Sequence, residues 1–109
     1  MSLAQVGGDS VGMFPKNIGA VMGAAQACGV SPSRIRAVMQ EAFLAINAAV
    51  PSASHRETLS KTLYESYLAM VGHYKSRGGD CEGALKLFSY AEMGLKNGAI
   101  PDSLKREFR

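Results

Sequence analysis

The chain has 109 residues, of which 47% are hydrophobic and 19% are charged, and its net charge at pH 7 is +3. This length fits one domain, and the apolar fraction excludes a chain that is disordered throughout. The 12 basic and 9 acidic residues are spread along the sequence, with one loose basic end at Lys105, Arg106 and Arg109. Such a mild excess does not indicate the dense basic patch of a strong nucleic-acid binder.

The sequence predicts an all-α fold, because helical spacing of apolar residues recurs while alternating β-branched and aromatic runs are absent. We expect a small helical bundle of four main helices near residues 17–28, 32–49, 54–77 and 80–97, with a short fifth helix after Pro101. The last two main helices form a C-terminal helical hairpin. Residues 1–16 are rich in glycine and carry little charge, which predicts an extended N-terminal arm before a single domain at 17–109.

The first two helices have marked starts and apolar surfaces. Asn17 can cap the first, whose Gly19, Gly23 and Ala27 form a smooth ridge for close helix packing. Ser31 caps the second. Its predicted core stripe consists of Ile35, Val38, Met39, Ala42, Ile46 and Ala49, widened by Phe43, Leu44 and Val50. A helix this apolar must be covered by its own domain or by a partner.

The predicted hairpin spans Ser54 to Gly98. Ser54 and Glu57 match a capping box, and Gly78-Gly79 ends the first helix of the pair. Asp80 then caps the second helix. The two apolar stripes, expected to bury against each other and a third element, are Leu59, Leu63, Tyr67, Met70 and Tyr74, then Ala84, Leu87, Phe88, Ala91 and Leu95.

Two local resemblances follow from these residues. Gly78-Gly79-Asp80, then Ala84, Phe88 and Ala91, with Pro101 beyond, resemble a single tetratricopeptide-repeat helix pair at about 61–101. Residues 21–40 resemble a DNA-binding helix-turn-helix, with Ala25 at the crossing, Gly29 at the turn, and Val30, Ile35 and Val38 at buried positions. That second resemblance implies contacts with the major groove or phosphates from Ser31, Ser33, Arg34, Arg36 and Gln40.

Cys28 and Cys81 have no cysteine or histidine neighbour at metal-ligand spacing, so we expect two small buried thiols, with pairing left open. Two cysteines without a signal peptide favour an intracellular, reducing and cytoplasmic location, with an organellar one as the alternative. The longest uncharged apolar run, 18–30, is too short to span a membrane.

No constellation in the sequence predicts catalysis. His55 and His73 have no nucleophile at a recognisable spacing, and no phosphate-binding or metalloprotease motif occurs. We therefore expect a protein that is not an enzyme and binds no cofactor or metal.

The function predicted is a non-catalytic helical interaction module, or a structural subunit of a larger complex, with other protein chains as partners in a hetero- or homo-oligomer. A small helix-turn-helix DNA-binding regulator is the alternative, with nucleic acid as a less favoured partner. A repeat-like secretion chaperone is the second alternative. The predicted partner-binding residues are Phe43, Leu44, Val50, Tyr64 and Tyr90.

Overall fold

The computed structural model describes residues 13–96, which form four helices and no strand. They are α1 (Met13–Ala27), α2 (Pro32–Ala49), α3 (Ala53–Arg77) and α4 (Cys81–Lys96). The predicted all-α fold with four main helices is confirmed. The first twelve residues of the predicted arm and the predicted fifth helix lie outside the described residues.

The central helix is α1, which packs on each of the other three and most extensively on α3. Its only charged residue is Lys16, and a helix with so few charges is stable only when most of its surface is covered. It begins four residues earlier than predicted, at Met13. Pro15 is accepted there because the first turn of a helix needs no N–H donor, and both Phe14 and Pro15 are buried. Residues 13–16 are therefore helix and not extended arm.

The contact between α1 and α3 is a close approach of two backbones. A Cβ atom added at Gly19 would collide with the carbonyl oxygen of Leu63, and one added at Gly23 would collide with that of Tyr67. This confirms the predicted ridge at these two glycines. Ala27, the predicted third member of the ridge, is exposed.

On α2, the predicted stripe is buried at Ile35, Val38, Ala42 and Ile46. Met39, Phe43 and Ala49 are half-buried and pack against the same core. Ser31 holds the N-cap position, but its hydroxyl lies 3.3 Å from the Ser33 hydroxyl and forms no capping bond.

The start of α3 differs from the predicted capping box. Ser52 is the N-cap, and its hydroxyl accepts the backbone N–H of His55 at 3.4 Å. Ser54 lies inside the helix, where its hydroxyl is 3.0 Å from that of Ser52. The predicted end of the helix is confirmed, because Gly78 takes a φ of 76° that favours glycine.

Asp80 caps α4 as predicted, because its Oδ1 accepts the backbone N–H of Gly83 at 3.0 Å. Four members of the predicted stripe are buried: Ala84, Phe88, Ala91 and Leu95. The fifth, Leu87, is half exposed, so the core face of α4 is narrower than expected.

The packing of the C-terminal pair also differs from the expectation. The short turn joins α3 and α4 as predicted, but their apolar stripes do not bury mainly against each other. The stripe of α3 faces α1, and that of α4 faces α1 and α2. The hydrophobic core is shared by all four helices, with α1 in the middle.

Cys28 and Cys81 form a disulfide across 53 residues, with their Cα atoms 5.5 Å apart. The expectation of two buried thiols is wrong: Cys81 is exposed and Cys28 is half-buried. The bond joins the turn after α1 to the first residue of α4. Structural disulfides persist mainly in oxidising compartments. The prediction of a reducing location assumed two unpaired thiols, and the observed bond removes that assumption.

Candidate interaction surfaces

Large apolar side chains are exposed on the outer sides of three helices. Of the predicted partner-binding residues, Leu44 on α2 is 59% exposed, Tyr64 on α3 is 50% exposed and Tyr90 on α4 is 72% exposed. Their helices differ, so these three do not form one continuous helix face. They are separate candidates for a contact with another protein.

The other two predicted partner-binding residues do not offer a surface. Val50 is only 1% exposed, because it closes the end of α2 and belongs to the core. Phe43 is half-buried and packs against that core. The sequence shows that both residues lie on the apolar side of α2, but it does not show how far around the helix the covered face extends.

The outer face of α4 carries the densest group of exposed apolar side chains in the described helices. Leu85, Tyr90 and Met93 lie there together, with Ser89 and an ion pair between Glu82 and Lys86 beside them. We call these six residues the α4 outer face. They line a shallow depression. Tyr90 was predicted as a partner-binding residue and Met93 was not, although a position three residues after Tyr90 lies on the same side of the helix.

The corner between α1 and α2 has the burial pattern that the helix-turn-helix resemblance implies. Gly29 has a φ of 101° at the turn, and Ala25, Val30, Ile35 and Val38 are buried. The proposed DNA-facing residues are all exposed: Ser31, Ser33, Arg34, Arg36 and Gln40. The same steric pattern serves any tight α–α corner, so it does not distinguish a DNA reader from ordinary packing.

Arg34 is already engaged by α4. Its Nη2 and Nε donate to the two carboxylate oxygens of Glu92 at 2.8 and 3.1 Å, and its guanidinium lies 5.2 Å from the centre of the Phe88 ring. The hydrogen bond to Glu92, followed by the charge of that carboxylate, raises the pKa of Arg34. This bidentate pairing occupies guanidinium N–H donors that a DNA-binding arginine directs at a guanine or a phosphate.

A second depression lies between α1 and α3. Lys16, Asn17, Glu65 and His73 line its polar side, while Ala20 and Met70 contribute apolar surface. Nearby, the Ser66 hydroxyl donates to the Lys16 carbonyl oxygen at 2.5 Å, and the Tyr67 hydroxyl donates to the Gln26 side-chain oxygen. These bonds tie the two helices together and account for polar groups that lie along their contact.

Within residues 13–96, no three histidine, cysteine, aspartate or glutamate side chains are grouped so that they could hold a metal ion. None of the four helices combines the length and hydropathy that a membrane span requires. Comparison with protein-family models, with curated proteins and with solved structures finds no match to this chain.

Proposed function

We propose that this protein is a non-catalytic helical interaction module, or a structural subunit of a larger complex, that binds another protein chain through the α4 outer face. The observation that supports this proposal is the exposure of Tyr90 and Met93, at 72% and 64%, on a helix whose opposite side already fills the core. Folding of the domain therefore does not use these side chains.

The chemistry of the α4 outer face suits a protein partner. Tyrosine and methionine are enriched in protein interfaces; tyrosine buries a large area at a low entropic cost, and the flexible methionine side chain adapts to the shape of a partner. Glu82 and Lys86 beside them offer charges of both signs for a polar rim. A helix that presents anchors at such spacings fits a groove or a second helix.

Site-specific cross-linking tests the proposal. A photoreactive phenylalanine analogue at position 90 is expected to capture a discrete partner in extracts of the native source, whereas the same analogue at position 64, the competing candidate on α3, is expected to capture none. Tyr90→Ser with Met93→Ser should abolish capture from position 86 without lowering the melting temperature. Equal capture from positions 64 and 90, or capture unaffected by the double substitution, would contradict the assignment of the surface.

DNA binding is a second candidate, and the burial pattern at Ala25, Gly29 and Ile35 is the observation in its favour. The engagement of Arg34 by Glu92 weighs against it. If the protein binds duplex DNA, Arg34→Ala with Arg36→Ala should weaken the binding and flatten its salt dependence. Fluorescence anisotropy with labelled DNA at several salt concentrations measures both effects, and no salt-dependent binding by the unsubstituted protein would eliminate this candidate.

A further inference from the structure

The disulfide between Cys28 and Cys81 lies near the surface of the described fold. Cys81 is exposed and Cys28 is half-buried, so a small thiol in solvent can reach the bond. It anchors the first residue of α4 to the turn that follows α1. Disulfides that solvent can reach are the ones that exchange with thiols, whereas deeply buried ones resist reduction.

Noncovalent contacts hold residues 81–87 of α4 less firmly than the part of the helix from Phe88 onward. The large core residues Phe88 and Leu95 lie in that later part, and Arg34 fastens it to α2 through Glu92. Within residues 81–87, Ala84 is the buried residue of the core face. The capping bond from Gly83 to Asp80 is local, so it shapes the helix end without attaching it to another helix.

The neighbouring turn provides little further restraint. The Tyr74 ring lies over Gly79, and this contact joins the turn to the end of α3. Beyond the turn, α3 makes little contact with α4. Gly78 and Gly79 have the conformational freedom to let the first turns of α4 change direction. Residues 81–87 of α4 are therefore attached mainly by the disulfide, Ala84 and the Tyr74 contact.

We propose that the disulfide between Cys28 and Cys81 is a redox-sensitive clamp: its reduction releases residues 81–87 of α4 while the remainder of the bundle stays folded. The reductant is a small dithiol. Its two sulfurs become joined in a disulfide, and the two electrons and two protons that it loses convert Cys28 and Cys81 into two thiols. Release widens the depression where α1, α3 and α4 meet, which is lined by Ala20, Ala24, Met70, Tyr74, Ala84 and Leu87.

This clamp shares Glu82, Leu85 and Lys86 with the α4 outer face, but its test does not need a partner. Partner capture from position 90 can fail while the clamp operates, because the clamp is measured on the isolated chain. Conversely, Tyr90 and Met93 lie beyond residues 81–87, so capture from position 90 can succeed in a chain whose disulfide does not act as a clamp.

Hydrogen–deuterium exchange with and without dithiothreitol tests the clamp. Upon reduction, residues 81–87 should lose nearly all of their amide protection, while residues 18–25 and 59–67 should stay protected and lose no more than the lower global stability of the reduced protein, measured by urea unfolding, accounts for. The variant Cys28→Ser with Cys81→Ser should match the reduced protein and should not respond to dithiothreitol. Mass measurement of alkylated protein confirms the oxidation state of each sample.

Three results would overturn the clamp. Unchanged exchange in residues 81–87 would show that packing alone holds the start of α4. Loss of nearly all protection throughout α1 and α3, beyond what the measured drop in global stability accounts for, would show that the bond holds the entire bundle and not one segment. Two free thiols in protein that has been air-oxidised and purified without reductant would show that the bond does not form.

Discussion

Gly19 of α1 lies against the backbone carbonyl of Leu63 in α3, so closely that a methyl group at position 19 would collide with that oxygen. One turn later, Gly23 makes the same contact with the carbonyl of Tyr67. Because backbone atoms cannot move aside as a flexible side chain can, the separation of α1 and α3 depends on two missing side chains. This contact places α1 in the centre of the bundle.

Replacing either glycine should destabilise the protein despite the higher helix propensity of alanine. For Gly19→Ala we expect a loss of about 1–3 kcal/mol in the free energy of unfolding, the usual cost of overpacking a core. Gly23→Ala should behave in the same way. Urea unfolding followed by circular dichroism measures both.

Gly72→Ala is the matched control for these substitutions. Gly72 lies inside α3, but a Cβ atom there would meet open space. The substitution should therefore stabilise the protein by about 0.5–1 kcal/mol, since glycine costs that much in a helix interior. If Gly19→Ala and Gly72→Ala shift the unfolding midpoint in the same direction, the close approach of α1 and α3 is wrong.

Much of the fold could be predicted because local periodicity determines which face of a helix is apolar. The stripes at Leu59 and Leu63 and at Phe88 and Ala91 are both buried as expected. Periodicity does not reveal which helix covers a stripe, so the central place of α1 between these two was not predictable. It also leaves the edges of a stripe undefined. Val50 was therefore predicted to be a partner-binding residue although it is buried, and Leu87 was predicted to be in the core although it is half exposed.

The cysteines illustrate a different limit. Cys28 and Cys81 are separated by 53 residues, and nothing in that spacing tells whether the fold brings them to a Cα separation of 5.5 Å. Pairing depends on the tertiary positions of the α1 turn and the α4 start. Similarly, residues 13–16 were predicted to belong to the extended arm, but whether a proline such as Pro15 breaks a helix or starts one depends on where the first turn lies.

The two serines before α3 should differ in their effect on stability. Ser52→Ala removes the hydroxyl that accepts the His55 N–H and should cost about 0.5–2 kcal/mol, toward the lower end because the bond is long. Ser54→Ala removes an exposed hydroxyl inside the helix and should stay within about 0.5 kcal/mol. Thermal melts of the two variants compare them directly, and a larger loss for Ser54→Ala would restore the capping box predicted from the sequence.

Substitutions on the two sides of α4 should have sharply different effects. Phe88 is buried completely beneath Arg34, so Phe88→Ala should cost about 3–5 kcal/mol by leaving a cavity. Tyr90, two residues later, points outward, and Tyr90→Ala should change the free energy of unfolding by no more than about 0.5 kcal/mol. Chemical denaturation measures both. A destabilisation by Tyr90→Ala as large as that by Phe88→Ala would mean that Tyr90 belongs to the core and cannot serve as an interaction anchor.

Removing the disulfide should lower global stability as well as loosen the start of α4. Cross-linking residues 53 positions apart restricts the unfolded chain, and the loop-entropy relation gives a stabilisation of about 4 kcal/mol. Oxidised protein and the variant Cys28→Ser with Cys81→Ser, unfolded in urea under identical conditions, should differ by this amount, and dithiothreitol should shift the unfolding midpoint of the unsubstituted protein alone. Superimposable unfolding curves would contradict a bond that restricts the unfolded state. Since domains of this size are stable by about 5–15 kcal/mol, a loss of this amount is compatible with a reduced bundle that remains folded, which the redox clamp requires.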